Sequence, residues 1–216
     1  MSGPRRSARA ARAATLGATG LVAVAALAAT TTAATAASRA ATIKAQYKVT
    51  GSTDLKGPGF SLALGPGKLA STLNPKNGKL TATLTLPDAT GSFKQAGVVP
   101  VTATTRFVND GKTTGKLNLN TGAVSTTSKI TLQIVSLTVA GLPVPVGKSC
   151  ETKTPVVVNL KSQKNFNVLE GGTVAGTYTI PKFHHCLLAT PLINLTIPAS
   201  GNTITLKLGK AKVGKA

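Results

Sequence analysis

His184-His185-Cys186 is the densest group of chemically capable side chains in this 216-residue sequence. Imidazoles and a thiol are metal-ligand types, but adjacent residues on an extended strand point to opposite faces, so one ion cannot easily take both histidines. No Asp, Glu or further His lies nearby in sequence, and Cys186 is better explained by the other cysteine, Cys150. Gly141 to Ser149 ends in Gly147-Lys148-Ser149, the outline of a phosphate loop. Five residues separate its glycines where such a cradle needs four, and Pro143 and Pro145 remove two backbone donors. There is no G-x-S-x-G elbow for a nucleophilic serine. A paired-carboxylate hydrolase needs two acids in one cleft. The whole chain has five acids, and Asp54, Asp88 and Asp110 sit beside turn residues, where bonds to the local backbone explain them. No catalytic residue, metal ligand or cofactor site is assigned, and the chain is read as a non-enzyme.

What positions these residues is a chain read as exported. Arg5, Arg6, Arg9 and Arg12 make a basic start, an uncharged stretch runs from Ala13 to Ala29, and Ala34-Thr35-Ala36 fits the A-x-A cleavage rule. Residues 1–36 are therefore read as a signal peptide on the general secretory route, with an uncleaved anchor as the alternative. The expected location is secreted, extracellular or cell-envelope associated. In that setting Cys150 and Cys186 are expected to form one disulfide. It would close a loop of about 36 residues and stabilise the fold by roughly 3–4 kcal/mol.

Charge is lopsided: 25 Lys+Arg against five Asp+Glu, a formal net charge of +20. Without the leader arginines about +16 remains, nearly all of it lysine. Lysines on alternating strands are first a solvated face that keeps sheet edges apart. They also attract polyanions, and the crowding at Lys207, Lys210, Lys212 and Lys215 marks a candidate contact for an anionic cell-wall polymer or a membrane surface. Specific nucleic-acid recognition is not expected: only Arg39 and Arg106 remain as arginines after the leader, and aromatics are few.

Period-two alternation dominates after the leader, broken by Gly, Pro and Asn. Runs appear at Gln46–Ser52, from Phe60, at Lys68–Leu73, from Leu80, at Val99–Phe107 and at Val124–Ala140, then around Val156–Leu160, Val174–Ile180 and Ile204–Leu208. Asn74-Pro75-Lys76-Asn77-Gly78 signals a hairpin. In the longest run, Ile130, Leu132 and Ile134 share one parity while Val135, Leu137 and Val139 share the other, which predicts a bulge at Ile134-Val135. There the strand could pass from one sheet to another. Thr190 as cap and Pro191 at the first helical position, followed by Leu192, Ile193, Leu195 and Ile197, predict a helix of about two turns.

The Arg/Ala-rich leader, the lone cysteine pair, the echo between Gly78–Pro87 and Gly172–Pro181, and the closing Pro198–Leu208 segment resemble a type of exported, Thr-rich β protein found in actinobacteria. The resemblance implies a cell-envelope location and no site residues. The fold expected is an all-β antiparallel sandwich of about nine to eleven strands with one disulfide and at most one short helix; a β-barrel is the runner-up. The domain plan is a signal peptide (1–36), a linker (37–45), a β-domain (46–208) and a basic tail (209–216). The leading function is a non-catalytic module adhering to anionic wall polymers through lysines. The alternative is a carrier of a lipid or other apolar ligand.

Overall fold

The computed structural model describes residues 42–214, so the leader, its cleavage site, most of the linker and Lys215 lie outside the described residues. Alternating apolar and polar residues make strands of most of the chain. In order these are β1 (Ile43–Leu55), β2 (Phe60–Leu73), β3 (Lys79–Thr85), β4 (Ala89–Gln95), β5 (Val99–Asn109), β6 (Thr113–Leu117) and β7 (Val124–Val139). Two short pieces follow, β8 (Leu142–Pro143) and β9 (Glu151–Thr152), then β10 (Val156–Ser162), β11 (Gly172–Ile180), β12 (Phe183–His184), β13 (Ala199–Leu208) and β14 (Lys212–Gly214). The one α-helix among the described residues, α1 (Thr190–Thr196), carries proline in its first turn as expected.

The neighbours run β10-β11-β13-β1-β2-β3-β6-β7, and β7 pairs back onto β10 through Val156 opposite Ile130 and Lys161 opposite Ser125. The sheet therefore closes into an eight-strand barrel. The chain is all-β as expected, but the runner-up architecture replaces the sandwich. Alternation reads the same in both, since each has one wet and one dry face. Closure differs in joining the two ends of the ring, although β4 keeps one free edge because it pairs with β5 alone.

Two of the barrel staves are bent. β3 and β4 form one, β5 and β6 the other: Leu80 lies opposite Gly115, and Phe93 opposite Val101. β5 and β6 run end to end along β7. The bulge in β7 falls where parity predicts it, with Thr104 opposite Ser136 but Thr105 opposite Ile134, leaving Val135 as the extra residue. Ser128, Leu132 and Ile134 are buried before it and Leu137 after it. The bulge does not carry β7 into a second sheet. It reverses parity inside one curved sheet so that apolar residues keep facing inward.

Two boundaries move. Ile43–Ala45, read as linker, already belongs to β1, and Ala45 is buried. Lys212–Gly214, read as tail, pairs with it as β14, Val213 opposite Ala45.

The barrel has unlike ends. At one end the chain from Cys150 to Thr152 and from Phe183 to Ile197 packs as a plug, burying Phe183, Ala189, Ile193 and Ile197 in the same core as Leu62, Ile134 and Ile180. Cys150 and Cys186 form the disulfide, with Cα atoms 4.2 Å apart. Asn194 fits a glycosylation sequon, but its side chain is committed to the fold. Its Oδ1 accepts from the Phe183 N–H at 2.7 Å and its Nδ2 donates to the Phe183 carbonyl at 2.9 Å. Helix α1 is thereby held as if it were a further strand beside β12. The other end, where β1, β3, β7 and β11 begin, carries no such plug among the described residues. The loops 74–78, 118–123 and 163–171 and the pairing of β14 border it.

Replacing Cys150 and Cys186 together by serine should lower the free energy of unfolding by about 3–4 kcal/mol. Urea denaturation of the oxidised protein and the double variant reads this directly, and an unchanged midpoint would show that the plug holds without its cystine.

Candidate apolar ligand cavity

Inward positions of the strands surround a cavity of about 150 Å³ in the unplugged half of the barrel. Its wall is built from β1 (Ala45, Tyr47, Val49), β3 (Leu80, Ala82) and the opposite strands (Leu160, Val174, Leu206). The cause is side-chain size. Ala45, Ser71, Ala82 and Ser128 place one- or two-atom side chains at inward positions where leucine would fill the space. A second cavity of about 80 Å³ lies in the plugged half, among Phe60, Phe93, Phe107, Tyr178 and Phe183. Five of the seven aromatics of the β-domain are spent there. Rings crowd the floor and small residues line the top. Gly91 on β4 belongs to this packing, because a Cβ there would strike the Phe60 ring. Leu84 lines both cavities.

The polar groups inside are few and mutually satisfied. Thr113 and Ser128 hydroxyls pair at 2.7 Å, and Ser71 Oγ donates to the Ala45 carbonyl at 3.2 Å. An apolar cavity of this size stays dry and accepts a guest of about one benzene ring. It has no buried charge with which to orient a polar substrate. It suits hydrocarbon.

The loop 163–171 lies over the open side and supplies Phe166, Val168 and Leu169 to the lining. Tyr47 pins it from within, its hydroxyl donating to the Val168 carbonyl at 2.7 Å. Ala211 N–H pins it from the C-terminal side, donating to the Leu169 carbonyl at 2.8 Å, and Lys210 pairs with Glu170 at 3.2 Å. Burial raises the Tyr47 hydroxyl above its ordinary pKa, partly offset by Ser71. Tyr178 is likewise raised, first by burial. Its hydroxyl donates to Thr53 Oγ1 at 2.6 Å, which in turn donates to the Thr203 carbonyl at 2.7 Å.

His184 and Glu151 face each other across β9 and β12, His184 Nε2 3.8 Å from Glu151 Oε1, and His185 stacks on His184 with ring centres 4.0 Å apart. The left-handed backbone at His185 lets the two neighbouring rings come together, which an extended strand would not. Neither cavity is lined by either histidine or by Glu151. Among the described residues no third His, Cys, Asp or Glu joins the pair.

The three described C-terminal lysines, Lys207, Lys210 and Lys212, do not form one row. Lys207 is exposed on β13 opposite Thr50 and Thr173, Lys210 is taken by Glu170, and Lys212 lies on β14 opposite Gln46. A more coherent group comes from lysines far apart in sequence. On the outer face beside the open end, Lys79 lies opposite Lys116, Lys116 opposite Ser125, and Ser125 opposite Lys161. Sequence inspection misses this row because strand pairing, not chain proximity, assembles it.

A raised tyrosine pKa means that the folded state holds its proton more tightly than the unfolded chain does. Its contribution to stability is complete below the ordinary value of 10.0 and is lost as pH rises through the higher folded value. Stability should therefore fall above about pH 10, and Tyr47→Phe with Tyr178→Phe should flatten that fall. Denaturation midpoints measured from pH 8 to 11 check this; parallel curves for the two proteins would exclude the tyrosines as the cause. Compared with protein-family models, curated proteins and solved structures, the chain finds no match.

Proposed function

We propose that this protein is an exported, non-catalytic barrel that carries an apolar ligand, such as the hydrocarbon end of a lipid. The observation that carries this reading is the cavity of about 150 Å³, lined mostly by apolar side chains in the unplugged half of the barrel. Burying apolar surface is the one binding force such a lining offers, at about 25 cal/mol per Å². Ligand pockets usually run to about 300 Å³ or more, so a whole acyl chain needs the loop 163–171 to swing out or Leu84 to give way. The loop is built for the first: short bonds from Tyr47 and Ala211 hold it, with no covalent tie of its own.

A second reading, adhesion to anionic wall polymer, draws on the lysine row of Lys79, Lys116 and Lys161. Like charges directly opposite on a sheet destabilise it, and a bound polyanion would relieve the strain. This reading leaves the cavity unexplained, whereas a carrier uses both features.

Ligand uptake is read by titrating the protein with saturated fatty acids of about eight to sixteen carbons and following the fluorescence of Tyr47 at the cavity wall. Saturable binding is expected, and Ala82→Leu, which fills the space, should weaken it about tenfold. Absence of saturable binding, together with no co-purified lipid in native mass spectrometry, would sink the carrier reading.

A further inference from the structure

The open end of the barrel combines two features rarely placed together on a soluble surface. The first is a rim of exposed aliphatics: Ile43 begins β1, Leu119 is in the turn after β6, Leu169 is in the loop 163–171, and Val213 is on β14. Their exposures are 40%, 53%, 55% and 55% respectively. The second is a collar of lysine. Lys79, Lys116 and Lys161 lie within two residues of strand ends at this rim, as does Lys44 on β1. Lys76 and Lys164 project from the adjoining loops, and Lys212 from β14. The acid at this end is Glu170, and Lys210 neutralises it. Asp54, Asp88, Asp110 and Glu151 all sit on other parts of the molecule.

We infer that this end docks on an anionic lipid bilayer, rim first, with the lysine collar over the headgroup phosphates. The inference rests on the carrier reading, and it adds the place where the cargo is exchanged. A polyanionic glycan would be held by the lysines alone and has no use for aliphatic tips. A bilayer uses both, because tips enter the headgroup boundary while each nearby lysine gains roughly 1 kcal/mol from the negative surface potential. The geometry also fits the cargo: Ile43, Leu169 and Val213 line the cavity as well as the rim, so an acyl chain could pass from bilayer to barrel along continuous apolar surface. The plugged end exposes Val98, Leu142, Leu187, Leu188 and Leu195 too, but none of these lines either cavity, and that side of the barrel carries Glu151 and Asp54.

The test is flotation of the purified protein with vesicles of phosphatidylcholine alone or with about one third phosphatidylglycerol, at low and high salt. Binding is expected to the anionic vesicles and to weaken with salt. Lys79→Glu, Lys116→Glu and Lys161→Glu together should cut it at least tenfold, and Leu119→Ser with Leu169→Ser and Val213→Ser at least threefold. Matching changes at the plugged end (Lys148→Glu, Lys153→Glu and Lys182→Glu, or Leu188→Ser and Leu195→Ser) should leave it near the parent value. Equal losses from both ends, or a rim triple that binds like the parent while soluble anionic glycan competes fully, would overturn the inference. Ala82→Leu separates this test from the carrier reading: it should lose fatty acid and keep vesicle binding. Docking that fails while fatty-acid binding holds removes only the inference made here.

Discussion

The pairing of β7 with β10 is the contact on which the rest depends. Without it the sheet is an open ribbon with β7 and β10 each left bare on one side and a hydrophobic face that nothing covers. With it, the inward residues of eight staves meet across one axis and backbone hydrogen bonds close around them. An eight-strand ring is just wide enough for side chains to fill or for one small guest to remain. Which occurs at each level is then a matter of side-chain volume. Phe60, Phe93, Phe107 and Phe183 nearly fill the plugged half, while Ala45, Ala82, Ser71 and Ser128 leave the other half hollow.

The plug converts a tube into a cup. It consists of chain that is too short and too irregular to pair as long strands, so its stability comes from other sources. The cystine between Cys150 and Cys186 limits how far the two segments can separate. Asn194 supplies the hydrogen bonds that a neighbouring strand would have given Phe183. Asn202, fully buried, does the same service nearby, accepting from the Lys56 N–H and donating to the Ala199 carbonyl. Asn202 is buried and Asn194 half-buried because each is satisfied, and satisfaction is what allows burial at the base of an otherwise apolar core. The open end has a different economy: its cover loop is held by a tyrosine hydroxyl, one backbone bond and a surface ion pair.

Much of this is visible in the primary structure, and the gaps have physical causes. The long strands, the hairpin at Asn74–Gly78, the parity switch in β7, the cystine and the short helix all rest on local signals, and local signals are strong here. β4 escapes notice because Gly91 and Gln95 share its inner face, leaving only Ala89 and Phe93 to mark it. Sandwich and barrel have the same alternation, so only the long-range pairing of β7 with β10 separates them. Thr190 is expected to cap α1, yet its hydroxyl donates to the Leu187 carbonyl, knitting the preceding turn to the helix, and Ala189 takes the cap position. The cavity has no sequence motif at all. It is an absence of volume at Ala45, Ser71 and Ala82, positions that look unremarkable until the ring closes around them.

The same reasoning separates this barrel from one that spans a membrane. A spanning barrel presents an apolar band outward and keeps polar residues within. Here the arrangement is reversed: Val49, Leu64, Val158 and Leu206 point inward, while Lys48, Lys68 and Lys129 project from the middle of the staves. Lysine at mid-membrane on a lipid-facing strand costs about 2–4 kcal/mol each, and several around the ring make insertion untenable. The wall of the barrel therefore suits water rather than the bilayer core, and it is at the ends that the interior meets the surface. That division follows from the alternation of the strands themselves. Each stave gives one face to solvent and the other to the interior, and only where the strands stop can the apolar interior reach the surface.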